Sequence, residues 1–389
     1  MLTVGIPKEI KIEERRVALT PKGVRQLAQN HVRVLVQRNA GTFFGFSDRD
    51  YETAGAVLSE TKEELWSQAE LIKKVKEPIP EEFPLFKPRH IIFTYLHLAS
   101  PNEHALLNAL IQSKVAAIGY ETIERDGTVP LLKPMSEVAG TLAAYFAGIF
   151  RNYISVKNGK IFGLDEAKEW MEKAAAQYPQ VLENISPGTV VILGGGHVGE
   201  KAAQMASALG GKVFLSEISD ARRSQLDRSF KTAGLSVSFI DPKKIREYEE
   251  ILAFCDTIIS AVHVPGKRAP LIIDSTFLRK ISERKKKIIL DIAIDQGGNI
   301  IESRPTNYEE PLYLDSCGNI RFSVTNMPSL CARGASVALE EVSLDYTLAL
   351  THGIDHALAQ YPELKTGVNI LNGKVILDAI KEAHGLPSR

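Results

Sequence analysis

A run of apolar residues that breaks into a glycine loop places the tightest constraint on how this chain can fold. Residues 190–193 have the composition of a buried strand, and they lead into a G-x-G-x-x-G pattern formed by Gly194, Gly196 and Gly199. The residues from Glu200 onward have the composition of a helix. A strand, a glycine turn and a helix in this order are the core of a dinucleotide-binding βαβ unit. The sequence therefore predicts a Rossmann-type parallel sheet.

The residues around this loop also predict how a cofactor is held. The pyrophosphate would lie on the unpaired N–H groups and the positive dipole end of the new helix. His197 and Val198 complete the loop, and we expect His197 to be a spacer there rather than a catalyst. Glu217 closes the next predicted strand, where a carboxylate accepts hydrogen bonds from ribose hydroxyls and repels a 2′-phosphate. The sequence thus predicts NAD rather than NADP.

Length and charge narrow the class of protein. A chain of 389 residues is longer than one hydrophobic core usually supports, which favours two domains. Because 47 basic residues balance 47 acidic ones, no global field would gather nucleic acid or a membrane surface. No stretch has the layout of a signal peptide or the length of a membrane span, so we expect a cytoplasmic location.

The cysteines predict neither a disulfide framework nor a metal site. Cys255, Cys317 and Cys331 have no paired spacing, and each lies in or beside apolar sequence. Such cysteines are typically buried thiols in a reducing compartment. The histidines show no metal-ligand spacing, so no metal is expected.

Alternating strand and helix patterns predict two α/β domains linked by long helices. Thr20 is a candidate N-cap with Pro21 at the first helical position, and 136–152 reads as a long helix capped by Ser136. The tail after Asn326 is predicted to be mostly helical, without a sheet of its own, and to pack against the first domain. Residues 1–135 with 327–389 would form a discontinuous substrate domain, and 136–326 the NAD-binding domain. The predicted strands are 3–6, 33–36, 71–75, 91–95, 115–119, 190–193, 212–215, 237–240, 257–260, 287–292 and 321–324.

Two basic residues of the first domain are candidates for substrate binding. Arg16 lies just before the first helix, where its guanidinium could bind a carboxylate through two parallel hydrogen bonds. Lys76 follows a predicted strand, at the edge where α/β sheets bind ligands. The alternative for each is an ordinary surface residue.

A histidine and an aspartate are candidates for acid–base work. His97 lies at the carboxyl end of a predicted strand, and histidine is the residue type best suited to acid–base work at neutral pH; the alternative is a half-buried structural histidine. Asp295 lies where an apolar strand opens into the Gly297–Gly298 loop, on the cofactor domain; the alternative is a loop cap.

Taken together, the motifs of this chain resemble the alanine dehydrogenase family, which is related to the proton-translocating transhydrogenase α subunit. The resemblance is spread over nearly the whole length. The motifs that carry it lie at residues 5–9, 14–21, 74–78, 93–98, 134–140, 264–266, 291–298, 303–306, 326–328 and 367–369.

The resemblance implies reversible oxidative deamination of L-alanine to pyruvate and ammonia with NAD. It implies that Arg16 and Lys76 contact the substrate carboxylate and carbonyl, and that His97 and Asp295 are the acid–base pair. It also implies a homo-oligomer, specifically a hexamer. The positions that match residues lining the cofactor are Ser136, Glu217, Arg222, Val264 and Asn326.

Two segments depart from the family pattern and keep alternatives open. Residues 154–187 are longer than the usual glycine-rich stretch, and 329–336 replace a usual Val-Pro-Arg-Thr-Ser-Thr run. One alternative is a dehydrogenase of another amino acid or 2-oxo acid, of the saccharopine or lysine type. A second, from another class, is an NAD-binding component like that of a transhydrogenase.

Overall fold

The computed structural model describes residues 1–100, 103–177, 184–264 and 268–387. Within these ranges the chain forms two compact units. Unit 1 contains Met1–Met135 and the described part of Ala332–Arg389, and unit 2 contains Ser136–Val264 and Arg268–Cys331. The second division therefore lies at 331/332, not at 326/327, because Met327 and Cys331 are buried in the core of unit 2.

Short strands and longer helices alternate through both units. The described strands are β1 (Val4–Ile6), β2 (Val34–Gln37), β3 (Val57–Ser59), β4 (Leu71–Lys73), β5 (Ile91–Thr94), β6 (Ala116–Gly119), β7 (Ser155–Lys157), β8 (Lys160–Phe162), β9 (Thr189–Leu193), β10 (Lys212–Ser216), β11 (Val237–Ile240), β12 (Thr257–Ser260), β13 (Ile288–Asp291), β14 (Leu312–Leu314), β15 (Ile320–Phe322), β16 (Val368–Leu371) and β17 (Lys374–Val375). The described α-helices are α1 (Pro21–Gln29), α2 (Asp48–Ala54), α3 (Lys62–Gln68), α4 (His104–Ser113), α5 (Lys133–Tyr153), α6 (Leu164–Gln177), α7 (His197–Ala208), α8 (Asp220–Thr232), α9 (Ile245–Phe254), α10 (Ser275–Ser282), α11 (Ala332–Leu350), α12 (Ile354–Gln360), α13 (Leu364–Gly367) and α14 (Asp378–His384).

Unit 1 is built on a sheet with the order β17-β16-β6-β5-β4-β1-β2-β3. Neighbouring strands from β3 to β6 are parallel, and β16 and β17 add an antiparallel edge. The central strands β1, β4 and β5 are buried along their whole length. This is expected of parallel strands, because helices cover both faces of the sheet.

Unit 2 is built on a sheet with the order β11-β10-β9-β12-β13-β15-β14. All of its strand pairs are parallel except β14 with β15. Counted from β9 along the chain, with the antiparallel β14 left out, the strands follow the order 3-2-1-4-5-6 of the dinucleotide-binding fold. The predicted two-domain α/β fold with a Rossmann-type sheet is confirmed.

Helix starts confirm one prediction and correct another. Thr20 caps α1, since its side chain accepts a hydrogen bond from the Lys22 N–H and Pro21 occupies the first turn. The long helix α5 begins at Lys133, so Ser136 lies inside it and is not its cap. The predicted start was too late because Pro134 fits the first turn of a helix, where no N–H is needed.

Two of the hairpins that were not predicted have the same turn. The tail has no sheet of its own, as predicted, but it adds two strands that were not predicted to the sheet of unit 1, where β16 pairs with β6 and with β17. In 154–187, β7 and β8 form a second hairpin ahead of the predicted helix, which is present as α6. The turns Asn158-Gly159 and Asn372-Gly373 all have positive φ, from 50° to 75°. Asn-Gly between two short apolar runs is the sequence signal for such a hairpin.

Candidate functional site

Three of the predicted site residues follow three neighbouring strands of unit 1. Arg16, Lys76 and His97 come after β1, β4 and β5, which lie side by side in the order β5-β4-β1. Because the strands are parallel, their carboxyl ends meet at one edge of the sheet. The fold therefore brings two cations and a titratable imidazole to the same edge.

Arg16 is a buried member of an ion pair. The residue is only 3% exposed, so the surface-arginine alternative is wrong. The guanidinium donates to both oxygens of Glu14, from Nε to Oε1 at 2.8 Å and from one terminal nitrogen to Oε2 at 2.6 Å. Another nitrogen lies 3.0 Å from Met135 Sδ. Burial would lower the pKa of Arg16, but the Glu14 carboxylate raises it above its usual value. A guanidinium held this way is a fixed cation.

Lys76 is also buried, at 7% exposure, so the surface-lysine alternative is wrong as well. Its neighbour Glu77 forms an ion pair with Lys11. Burial would raise the pKa of Glu77, but the charges of Lys76, His97 and Lys11 hold it below its usual value. These three cationic or titratable groups therefore lie within electrostatic reach of one carboxylate.

A second buried ion cluster holds the backbone just before Lys76. The Lys74 ammonium lies 3.2 Å from Glu9 Oε2 and 2.8 Å from Glu82 Oε1. Glu9 Oε1 also accepts a hydrogen bond from the Val75 N–H at 2.6 Å. Burial raises the pKa of Glu9 to about 7, although Lys74 opposes the shift. The cluster fixes the chain on which Lys76 is carried.

His97 is half-buried and lies in an unusual backbone conformation, with φ of 51°. Its ring lies nearly parallel to that of Tyr95, with 5.9 Å between ring centres and 11° between planes. The Tyr95 hydroxyl donates to the Leu131 carbonyl at 2.6 Å. The His97 N–H donates to Glu121 Oε1 at 2.8 Å. The exposure of His97 fits both the catalytic and the structural interpretation, whereas the charge of Glu77 beside it favours the catalytic one.

In unit 2, the glycine loop has the shape that a dinucleotide requires. Gly194 has φ of 97°, which favours glycine, and starts the turn after β9. A Cβ on Gly199 would overlap the Gly194 carbonyl oxygen, so this glycine allows α7 to approach the strand. A Cβ on Gly196 would meet no atom within 4 Å. Gly196 is also the N-cap of α7 and provides no side-chain cap. The open space and the helix N-terminus together fit a pyrophosphate.

Two side chains after β10 hold the same loop. Glu217 accepts hydrogen bonds from the Gly195 N–H at 2.9 Å and from the Ser219 N–H at 2.8 Å. Arg222 donates from Nε to the Gly195 carbonyl at 2.8 Å and pairs with Glu200 at 2.7 Å. Glu217, which is predicted to bind the ribose, is thus held beside the loop by a hydrogen bond from the loop backbone.

After β13, an aspartate other than Asp295 caps the loop. Asp295 is exposed in a 3-10 turn, and its carboxylate accepts no hydrogen bond from the residues that the structure describes. The cap is Asp291, whose Oδ2 accepts from the N–H groups of Asn299 and Ile300 and from the Ser303 hydroxyl at 2.5 to 3.1 Å. Burial raises the pKa of Asp291. Asp295 is therefore left available at the carboxyl edge of the sheet.

The remaining predicted cofactor positions lie in unit 2. His197 opens α7 and is half-buried, Ser136 lies inside α5, and Val264 is 37% exposed. Asn326 has φ of 61° and precedes a 3-10 turn. The structure does not test any of these as cofactor contacts, so they stay predictions.

Two other kinds of site are absent from the residues that the structure describes. No group of three or more His, Cys, Asp or Glu residues is arranged to hold a metal ion. No described helix is both long and apolar enough to cross a membrane. The predicted cytoplasmic location stays a prediction.

Comparison with known proteins gave matches along nearly the whole chain. Residues 5–139 match the family model "Alanine dehydrogenase/PNT, N-terminal domain", and 167–378 match "Alanine dehydrogenase/PNT, C-terminal domain". The chain is 38% identical to alanine dehydrogenase of Bacillus subtilis (strain 168) over 387 residues, which cover 99% of this chain and 95% of that protein.

Two solved structures are also similar. One is an L-alanine dehydrogenase, with a TM-score of 0.82, 33% identity and 99% of each chain covered. The other is a transhydrogenase from Sinorhizobium meliloti, with a TM-score of 0.73, 19% identity, and 97% of this chain and 99% of that chain covered. At that identity the second match shows the fold alone.

Proposed function

Because this chain belongs to the alanine dehydrogenase/PNT family, we propose that it catalyses the reversible, NAD-dependent oxidative deamination of L-alanine. In this reaction alanine, NAD⁺ and water give pyruvate, ammonium, NADH and a proton. The observation that best supports the proposal is the meeting of Arg16, Lys76 and His97 at one edge of the unit 1 sheet. Buried cations bind a carboxylate, and an imidazole moves protons at neutral pH.

Arg16 and Lys76 would hold the substrate. The ion pair with Glu14 and the burial of both side chains keep their charges in place before the substrate arrives. Arg16 would bind the carboxylate, and Lys76 would hydrogen-bond to the carbonyl oxygen of pyruvate. Fixed charges need no reorganisation during the reaction, which favours the transition state.

His97 would carry the protons. When the hydride has left Cα, the substrate is an imine, which water must attack at the same carbon. His97 would take a proton from this water and later return one to the leaving ammonia. Asp295 is proposed as the second member of the acid–base pair, on the basis of the family resemblance and its exposed carboxylate.

The unit 2 loop would hold the cofactor. When bound, NAD⁺ supplies the acceptor for the hydride that leaves Cα. Gly196 and the start of α7 would hold the pyrophosphate, and Glu217 would bind the ribose hydroxyls and disfavour NADP. Ser136, Gly194, His197, Val198, Gly199, Arg222, Val264 and Asn326 are proposed to complete this site. We also propose a homo-oligomer, specifically a hexamer, which light scattering after gel filtration would test.

The proposed reaction can be tested by following NADH oxidation with pyruvate plus ammonium, and with pyruvate alone. We expect oxidation only when ammonium is present, because the reverse reaction must form the imine. Oxidation without ammonium would mean a lactate-type reaction and would overturn the proposal. NADPH in place of NADH is expected to be a much poorer substrate.

A panel of 2-oxo acids with ammonium tests the substrate itself. We expect pyruvate to give the highest kcat/KM. A higher value for a bulkier acid would contradict the assignment of alanine and favour a relative of the saccharopine or lysine type. NADH binding without turnover of any acid would favour the transhydrogenase-like binding component.

A further inference from the structure

The backbone beside His97 is held by a carboxylate that the proposed reaction does not use. Glu121 lies in the 3-10 turn that follows β6, the strand next to β5. Its carboxylate accepts the Leu96 N–H at 3.2 Å and the His97 N–H at 2.8 Å. Within the described residues, the hydrogen bonds of the Glu121 side chain all go to this loop.

This contact holds His97 in a conformation that it would otherwise avoid. With φ of 51°, His97 is in the left-handed region, which is uncommon for residues other than glycine. Successive N–H groups next to a left-handed residue converge and form a concave binding site for an anion. The Glu121 carboxylate fills that site, so it stabilises the left-handed backbone at His97.

The backbone conformation in turn sets the direction of the imidazole. The His97 ring lies against Tyr95, whose own hydroxyl is bound to the Leu131 carbonyl. A ring that left this position would lose its place at the edge shared with Arg16 and Lys76. A general acid–base group must lie within hydrogen-bond reach of the proton that it transfers.

The turn that carries Glu121 is itself supported from behind. A Cβ on Gly119 would come within 3.1 Å of Glu121 Oε1 and would overlap the Asn369 amide. Asn369, in β16, donates to the Thr122 hydroxyl at 3.3 Å. The residues on both sides of Glu121 therefore leave room for its carboxylate and keep it pointed at the loop.

We propose that Glu121 is a positioning residue that acts through His97. It does not touch the substrate; it fixes the backbone from which the imidazole is presented. This inference rests on the proposed function, because it takes His97 to be the acid–base group. It goes beyond that function by assigning the geometry of His97 to a residue on the neighbouring strand.

A double-mutant cycle tests this inference. Glu121→Gln should lower kcat for alanine about 10- to 100-fold, because small misplacements of a reacting group have large effects. The KM for alanine should change less than about threefold, since Arg16 and Lys76 remain in place. In a His97→Ala background, Glu121→Gln should change the residual rate less than about twofold, because the group it positions is gone.

The matched control is Glu124→Gln, an exposed glutamate on the same segment, which should match the unmodified protein in kcat and KM. A second readout does not depend on turnover: amide hydrogen exchange at Leu96 and His97 should become faster in Glu121→Gln but not in Glu124→Gln. Equal losses in the presence and absence of His97, or unchanged kcat and exchange, would overturn the inference. An unmodified protein that is inactive on alanine would instead overturn the proposed function.

Discussion

The candidate sites of the two units consist of different chemical groups. In unit 1, charged side chains form the site, and three carboxylates support it: those of the buried Glu14 and Glu77 and of the half-buried Glu121. In unit 2, glycines and backbone N–H groups form the proposed pyrophosphate site, and the side chains of Glu217 and Arg222 hold its loop. A reaction that moves protons needs groups that can be charged, whereas a pyrophosphate needs only donors and space. The difference therefore follows from what each unit would bind.

The largest expected effect separates chemistry from cofactor binding. His97→Ala should lower kcat about 10²- to 10⁴-fold, the usual contribution of general acid–base catalysis. The Kd for NADH should stay within about twofold of its original value, because His97 is not among the proposed cofactor contacts. A tenfold change in Kd would mean a loss of about 1.4 kcal/mol of binding free energy. Steady-state kinetics and NADH fluorescence titration measure the two effects.

The control for this variant is His356→Ala, at an exposed histidine on α12. It should change neither quantity. An unchanged kcat in His97→Ala would contradict the acid–base role of His97. It would also contradict the proposal that unit 1 provides the proton-transfer group whereas unit 2 binds the pyrophosphate.

A pair of glycine variants probes unit 2 in the same way. Gly199→Ala should lower the free energy of unfolding by about 1–3 kcal/mol, as overpacking does, because the new methyl group overlaps the Gly194 carbonyl. Gly196→Ala should leave that free energy unchanged, since the methyl group meets open space, but should weaken NADH binding about tenfold or more, a loss of at least 1.4 kcal/mol. Calorimetry and NADH titration of both variants measure these effects.

Each glycine variant is the control for the other. Equal loss of stability in both would mean that the loop is held by something other than the close approach of α7. Unchanged NADH affinity in Gly196→Ala would contradict the proposed place of the pyrophosphate.

The smallest expected effect concerns acid stability in unit 1. His90 is fully buried; its Nδ1 accepts from the Lys87 N–H at 3.1 Å, and its Nε2 lies 3.0 Å from the Trp66 carbonyl. Burial lowers the pKa of His90 from 6.5 to about 4. The unfolded chain therefore binds the proton first, and stability is lost as the pH falls from 6.5 towards 4. The loss should be about 1 kcal/mol per pH unit.

Fluorescence-detected urea unfolding can measure this loss in the right place. The chain has two tryptophans, and Trp66 lies beside His90, so a Trp170→Phe background reports on unit 1. In that background, His90→Gln should make the free energy of unfolding less dependent on pH between pH 6.5 and 5. His31→Gln, at an exposed site, should leave this dependence unchanged. If the free energy of unfolding fell equally steeply with pH in both variants, groups other than His90 would be responsible for acid unfolding.

The glycine loop could be predicted from sequence because its physics is local. The turn, the start of α7 and the acid after β10 all lie within one short segment, and each residue type follows from backbone geometry. Thr20 could be predicted for the same reason, since a cap and its helix are neighbours. The order of the strands in unit 2 then follows from the alternation of strands and helices.

The partners of the unit 1 residues could not be predicted in this way. Glu121 meets His97 only because β5 and β6 are neighbours, and Lys11 meets Glu77 only because β1 and β4 are. Such contacts depend on the packing of distant segments, which no local pattern shows. The β16–β17 hairpin was different, since its Asn372-Gly373 turn was visible but the strands were too short to stand out.

The position of β16 has a consequence for how the protein is made. This strand lies against β6, yet in the chain it follows all of unit 2. A ribosome must therefore synthesise the whole of unit 2 before the sheet begun by the first residues can receive its last strands. Until then the outer edge of β6 exposes unpaired N–H and C=O groups, which other nascent chains can bind. Unit 1 is therefore the first unit to be started and the last to be completed. Chaperones can bind its open sheet edge in the interval.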